Sequence, residues 1–199
     1  MQDNLILIFT RNPELGKVKT RLAKGIGDKN ALEVYEILLN HTNEVLKKIN
    51  VPKRVLYSDD INHDDIWDNL IYQKRTQFGN DLGARMRNAF TEAFEDDYKK
   101  IIIIGTDLYD LEASDIENAF EKLNHHDVVV GPALDGGYYL LGLKYIPKGI
   151  FANKFWGTSS VLHDTLEDIK ELNYHLLKSK NDIDTVNDIK KIPEFQKYI

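Results

Sequence analysis

Leu5-Ile6-Leu7-Ile8-Phe9 is an apolar run without polar alternation, the pattern of a strand covered on both faces. It predicts the central strand of a parallel sheet. A polar, glycine-containing stretch follows from Thr10 to Arg21. Asp28 then caps a helix, because Ala31, Leu32, Tyr35, Leu38, Leu39, Val45, Leu46 and Ile49 recur at helical spacing until Pro52 stops it. Residues 53–58 and 71–77 read as short strands on either side of an acidic segment of no clear period. Asn80 or Asp81 caps a helix to about Phe94, with Leu82, Met86, Ala89, Phe90 and Ala93 inward. The four isoleucines 101–104 mark the clearest buried strand, since a β-branched run suits a pleated interior better than a helix. Ser114 opens the next helix, 128–131 and 138–143 are strands, 158–172 is a helix, 174–178 a strand and 186–192 a last short helix.

Strands and helices alternate from end to end, which predicts an α/β fold with a mostly parallel central sheet flanked by helices. The strands on either side of Pro132 to Gly137 are too close in sequence for a helical crossover, so at least one strand should run antiparallel or lie in a side sheet. With no internal repeat and no linker, residues 1–199 read as one domain.

Composition narrows the function classes. There is no cysteine, which excludes a disulfide framework, a Cys-ligated metal and a thiol nucleophile, and agrees with a reducing cytoplasm. A net charge of −6 does not invite a polyanion, so no nucleic-acid partner is expected. The N-terminal apolar run is too short for a signal peptide, and no stretch approaches the roughly 20 apolar residues of a membrane helix. The expectation is a soluble cytoplasmic protein with no membrane partner.

Four loops fall after predicted strands, where open α/β sheets bind ligands. Thr10 to Arg21 carries Arg11, Lys17, Lys19 and Arg21 with Gly16, a set suited to a di- or triphosphate, although the P-loop spacing is absent and a solvated basic loop is the plain alternative. Gly105-Thr106-Asp107 ends the isoleucine strand with a carboxylate that can hold a hard divalent cation or cap a turn. Asp135-Gly136-Gly137-Tyr138-Tyr139 is a hairpin turn that also lets a ligand approach the backbone. Asp182-Ile183-Asp184-Thr185 offers alternate acids that can complete a metal site, while Asp184 or Thr185 can cap the final helix. The histidines lack zinc spacing. Trp156 is either packing or a surface over a ligand. The acidic run 59–68 reads as solvated surface, with Ile61, Ile66 and Trp67 as a possible partner face.

Five blocks carry a resemblance: Arg11-x-Pro13-x-x-Gly16-Lys17-x-Lys19-Thr20-Arg21-Leu22, Gln77-Phe78-Gly79-x-Asp81-Leu82-Gly83-x-Arg85-Met86, Gly105-Thr106-Asp107-Leu108, Gly131-Pro132-Ala133-x-Asp135-Gly136-Gly137-Tyr138-Tyr139-Leu140-x-Gly142 and Asp182-x-Asp184-Thr185. In this order they resemble the bacterial glycosyltransferase-like proteins described as radical-SAM/selenodomain-associated transferase 1 or arsenosugar-biosynthesis glycosyltransferases. More loosely they are similar to 2-phospho-lactate and molybdenum-cofactor guanylyltransferases. The resemblance implies a GT-A-like nucleotide-diphospho-sugar transferase fold and a magnesium or manganese ion on Asp107 and Asp184, helped by Asp182 or Asp135. It implies a nucleotide held by Thr10, Arg11, Gly16, Lys17, Lys19, Arg21, Gln77 and Gly79, with Arg11, Lys19 and Asp107 catalytic. A small-molecule acceptor would lie on Asp135, Gly136, Gly137, Tyr138 and Trp156. Sugar transfer from a nucleotide-diphospho-sugar ranks first. Nucleotidyl transfer from an NTP with pyrophosphate release is the alternative, and a non-catalytic nucleotide-binding domain the third reading. One departure stands out: Tyr109 replaces the family's usual proline after the Gly-Thr-Asp block.

Overall fold

The computed structural model describes residues 3–199; Met1 and Gln2, part of the N-terminal segment read above, lie outside the described residues. The chain forms β1 (Asn4–Thr10), α1 (Thr20–Ile26), α2 (Asp28–Lys47), β2 (Lys53–Tyr57), β3 (Tyr72–Thr76), α3 (Leu82–Glu95), β4 (Lys100–Ile104), α4 (Ala113–Lys122), β5 (Val128–Pro132), β6 (Tyr138–Leu143), α5 (Val161–Asp168), β7 (Tyr174–Leu176), α6 (Val186–Ile189) and a 3₁₀ turn at Pro193–Tyr198. The strands make a seven-stranded sheet in the order β3-β2-β1-β4-β6-β5-β7. All pairings are parallel except those of β6, which runs antiparallel between β4 and β5. The architecture is the α/β class that the alternation predicts, including its antiparallel strand.

The unbroken apolar runs of β1 and β4 have a direct cause: both strands have two dry faces. Ile6, Ile8, Ile102 and Ile104 point into one core with Tyr35 and Leu39 of α2 and Ile116 of α4. Leu5, Leu7, Ile101 and Ile103 point into a second core with Met86 and Phe90 of α3. A third cluster joins Leu22 of α1 and Leu38 of α2 to Ile189 and Phe195 near the C-terminus.

Several boundaries differ from the sequence reading. The stretch to Arg21 is not all loop, since α1 begins at Thr20 behind Lys19, whose backbone is left-handed (φ 48°). Asp28 is the first helical residue rather than the cap, a position taken by Gly27 at φ 82°. At α4 the cap is Glu112 in a reciprocal box with Asp115, not Ser114. The helix expected over 158–172 covers only Val161–Asp168, and the last helix ends at Ile189 before the 3₁₀ turn. Asp81 does cap α3, its Oδ1 accepting from the Ala84 amide at 2.7 Å.

The acidic segment is neither wholly solvated nor a free partner face. Trp67 is buried, and Ile61 and Ile66 pack against the first core. Asp65 accepts from Tyr57 Oη and from Lys74 Nζ at 2.8 Å, so one of its acids is matched inside the fold.

Candidate functional site

At the carboxyl ends of β1, β2, β3 and β4 a cleft of about 630 Å³ opens between the first loop, the start of α3, the β5–β6 turn, the segment before α5 and the loop before α6. Its position follows from the topology, because the parallel strands all end at this edge and their connections diverge there.

Lys19 organises one end. Its left-handed backbone turns the side chain, only 4% exposed, inward, and the ammonium donates to Asp107 at the end of β4 and to Asp184 Oδ1 at 3.2 Å. Arg21, one residue into α1, donates to Asp184 Oδ2. The two acidic loops are themselves joined: Ile183 N donates to Asp107 O at 3.0 Å, and Leu108 bridges Asp182. Burial works against the charge on Lys19, but Asp107 and Asp184 outweigh it and hold the pKa raised. Asp182 lies within the same wall and its carboxyl is raised to about 7, by burial first and then by Asp107 and Asp135, with Asp184 adding to them and Lys19 opposing. Negative charge here exceeds what Lys19 neutralises.

Tyr35 holds the floor beside it. Its hydroxyl receives the Arg11 amide at 3.0 Å, donates to Arg11 O at 3.1 Å and lies 3.4 Å from Thr10 Oγ1. The helical periodicity places Tyr35 only as an inward residue, so its polar end was invisible in the sequence. Gln77, after β3, donates to Thr10 O at 3.3 Å and Leu56 O at 2.9 Å, fastening three strand ends together.

The opposite wall depends on two close approaches. Gly83 lets the Trp156 indole lie against α3; a Cβ there would fall 2.5 Å from its Cζ2. Gly136, at φ 91°, presses against the Ser159 backbone, and its carbonyl accepts from Leu162 N at 2.8 Å. Asp135 Oδ1 receives the Gly137 amide at 2.8 Å, so the hairpin reading of this turn and its place on the cleft coincide. Tyr138 reaches Met86 Sδ at 3.6 Å, and burial raises its phenol well above the ordinary value, leaving a protonated donor with only a weak acceptor.

Of the residues singled out in the sequence, the structure brings Thr10, Arg11, Lys19, Arg21, Gln77, Asp107, Asp135, Gly137, Tyr138, Trp156 and Asp184 to the cleft. It does not bring Gly16, Lys17, Gly79 or Gly136 to its surface. Lys17 turns outward to Glu14 at 2.6 Å, and Gly16 (φ 75°) makes the turn that sends it there. Gly79 acts through its carbonyl, which receives Arg85 Nε at 3.2 Å. Tyr109 explains the departure from proline: its ring packs 4.9 Å from Phe195 and 5.3 Å from His41, tying the Asp107 loop to the C-terminal segment.

Among the described residues no three His, Asp or Glu side chains are grouped to hold a metal ion. The fit to magnesium or manganese is nevertheless good in kind, because such ions need only one or two carboxylates and take their other oxygens from water and phosphate. Asp107 and Asp184 supply that pair, with Asp182 in the same wall of the cleft. Among the described residues no helix is long and apolar enough to cross a membrane.

Comparison with known proteins agrees with this geometry. A provisionally assigned nucleotide-diphospho-sugar transferase from Desulfovibrio desulfuricans G20 superposes with a TM-score of 0.86 at 30% identity, over 98% of this chain and 91% of that one. The 2-phospho-L-lactate guanylyltransferase of Methanocaldococcus vulcanius is 27% identical, over 94% of this chain and 84% of that protein. Rv0371c of Mycobacterium tuberculosis H37Rv, solved in complex with manganese, shares the fold at a TM-score of 0.59 and 13% identity, covering 98% of this chain and 99% of that one. The fold is thus of the nucleotide-diphospho-sugar transferase type, and the relatives named by activity are transferases. Residues 41–158 match the family described as "Uncharacterized protein conserved in bacteria (DUF2064)", and the chain belongs to that family.

Proposed function

We propose that this protein is a single-domain, cytoplasmic nucleotidyltransferase that joins the nucleoside monophosphate of an NTP to a small phosphorylated acceptor. An acceptor phosphate oxygen attacks the α-phosphorus, the bond from that phosphorus to the bridging oxygen of the β-phosphate breaks, and pyrophosphate leaves. The observation that carries the reading is the convergence of Lys19 and Arg21 on Asp107 and Asp184 in one cleft. Sequence similarity across most of the chain to a guanylyltransferase supports nucleotidyl over sugar transfer, reversing the ranking expected from the motifs.

In this reading Arg11 and Lys19 neutralise charge that develops on the α-phosphate and the departing pyrophosphate, where preorganised cations are most effective. Arg21, Thr10 and Gln77 position the nucleotide, and Gly16 and Gly79 set the loops that carry them. Lys17, ion-paired with Glu14, stays outside the cleft. Asp107 and Asp184 would hold Mg²⁺ or Mn²⁺, with Asp182 adding negative charge behind them; the ion, when bound, would act as a Lewis acid toward phosphate oxygens. Tyr138 donates to the acceptor, Asp135 and Gly137 orient it from the turn that Gly136 seats on Ser159, and Trp156, backed by Gly83, excludes water on the far side.

The test is pyrophosphate release from each of GTP, ATP, CTP and UTP with phosphorylated hydroxy-acid acceptors, including 2-phospholactate, in the presence and absence of EDTA. Release with one NTP and acceptor, abolished by EDTA, is the expected result. Sugar transfer keeps one specific support, the 30% identical sugar-transferase neighbour. Parallel incubation with nucleotide-diphospho-sugars would favour it if nucleoside diphosphate were released instead. Binding without turnover in either assay would leave the non-catalytic reading.

A further inference from the structure

Among the described residues Arg85 differs from Lys19 and Arg21 of the cleft in lacking a carboxylate partner, as Arg11 also does, and from Arg11 in being held by side-chain hydrogen bonds. It projects from the first turn of α3 into the same cavity as Lys19. Its Nε donates to Gly79 O at 3.2 Å and its Nη1 to Gln77 Oε1 at 3.3 Å, both neutral acceptors. Among the described residues no carboxylate lies within 4.0 Å of it. Two of its five N–H groups are thereby fixed, leaving three on the two Nη atoms. The frame is stiff: Gln77 is bonded to the ends of β1 and β2, and a Cβ on Gly79 would fall 2.7 Å from the Arg85 amide.

Its place in the sheet matters as much as its bonds. Gln77 follows β3 and Asp107 follows β4, and in the order β3-β2-β1-β4 those strands are three spacings apart. At about 4.8 Å per spacing the separation is on the order of 14 Å. A nucleoside with its phosphates can span that distance, and a lone phosphate cannot. With the phosphates at Lys19, Arg21, Asp107 and Asp184, the base reaches Arg85. Leu82, 42% exposed in the same wall, offers an apolar surface for its ring face.

We infer that Arg85, held by Gln77 and Gly79, is the base-reading residue of this site and selects guanine. A guanidinium fork only donates. Guanine presents two adjacent acceptors, O6 and N7, whereas adenine sets an N6 donor beside N7 and pyrimidines have no N7. The inference rests on the nucleotidyl-transfer reading only in that a nucleotide occupies the cleft with its phosphates at the acidic end.

The experiment is calorimetric titration of the protein with GTP, ITP, ATP and UTP in Mg²⁺ without acceptor, repeated on Arg85→Met and Arg85→Lys, with thermal melts to verify folding. ITP keeps O6 and N7 and lacks only the 2-amino group. The expected result is that GTP and ITP bind alike and at least about tenfold tighter than ATP or UTP. Arg85→Met should bring all four within about threefold by weakening GTP and ITP alone, and Arg85→Lys should recover only part of the preference. Equal binding of the four by the wild-type protein would overturn the inference, as would an Arg85→Met variant that weakens all four equally, the mark of a phosphate contact. An unchanged pattern in Arg85→Met would overturn it too. Guanine-selective binding that is lost in Arg85→Met, without pyrophosphate release for any acceptor, would sustain the inference and remove the transfer reading; absence of binding by every nucleotide would remove both.

Discussion

The two ends of the parallel strands each hold a buried cation, and they use it differently. Near the amino end of β2, Arg54 is 2% exposed and donates to Asp96 Oδ2 at 2.6 Å and to Gln73 Oε1 at 3.2 Å. Beside it Lys53 is buried too, its Nζ donating to the carbonyls of Ile49 and Val51 at 2.5 and 2.8 Å. These cations close the fold by satisfying carbonyls of the turn after α2 and one acid. Lys19, at the carboxyl end, serves two acids from loops 88 and 165 residues away and faces the 630 Å³ cleft. Burial and pairing alone therefore do not mark a site. The distinguishing signs are an excess of like charge around the pair, a left-handed backbone at Lys19 and open space beside it.

The sharpest way to break this contrast is at Lys19. Lys19→Met should lower kcat/KM for pyrophosphate release by about 10²–10³-fold, the usual loss when one preorganised charge-stabilising donor is removed. Asp107→Asn should act in the same direction and also reduce Mn²⁺ binding, read by the paramagnetic signal of the free ion. Retention of full turnover in Lys19→Met would erase the distinction between the two ends.

Arg54→Met should do the reverse, costing about 2–3 kcal/mol in urea unfolding because a packed stem and its hydrogen bonds are lost. Asp96 is 43% exposed and can be rehydrated, so the cost should not reach that of a sealed ion pair. Turnover per folded molecule should remain unchanged.

A subtler test uses pH. The Asp182 carboxyl moves from 3.8 to about 7 on folding, so between those values the native state binds more protons than the unfolded state. Its contribution therefore falls as pH rises, by about 3 kcal/mol between pH 5 and 8 if other groups are held fixed. Asp182→Asn should flatten that part of the profile of metal-free protein, measured as the difference between the two melting curves across pH. His175, whose pKa is lowered by burial and by His126, works in the opposite sense near neutrality and cancels in that difference.

The smallest expected effect concerns the far wall. Gly83→Ala should displace the Trp156 indole, at a cost of about 1 kcal/mol, and shift its fluorescence. The KM for acceptor should rise while nucleotide affinity changes little.

Much of this was legible in the residues alone. The apolar runs of β1 and β4 announced strands dry on both sides, because no polar position interrupts them, and the short Pro132–Gly137 connection called for an antiparallel strand or a side sheet, of which the structure has the first. Loop positions after those strands gave Lys19, Arg21, Asp107 and Asp184 as candidates, since sheet topology puts strand ends together. The sequence could not separate Lys17 from Lys19, two cations two residues apart. One turns out to Glu14 and the other in to Asp107 because the backbone at Gly16 and Lys19 has positive φ, a local choice decided by what the side chains meet. Trp67 was hidden for a similar reason: acids surround it in sequence, while in space it meets Tyr72 in an edge-on contact at 5.1 Å.

What the sequence determined by itself is the alternation of elements, the two-sided sheet and the set of loops that end at one edge, all consequences of short-range periodicity. What only the tertiary structure decided is the charge state and company of individual groups. Asp182 is raised, Lys19 is bridged and Arg85 is held by neutral acceptors because electrostatic free energy depends on distances between loops far apart in the chain, and no local pattern encodes those distances.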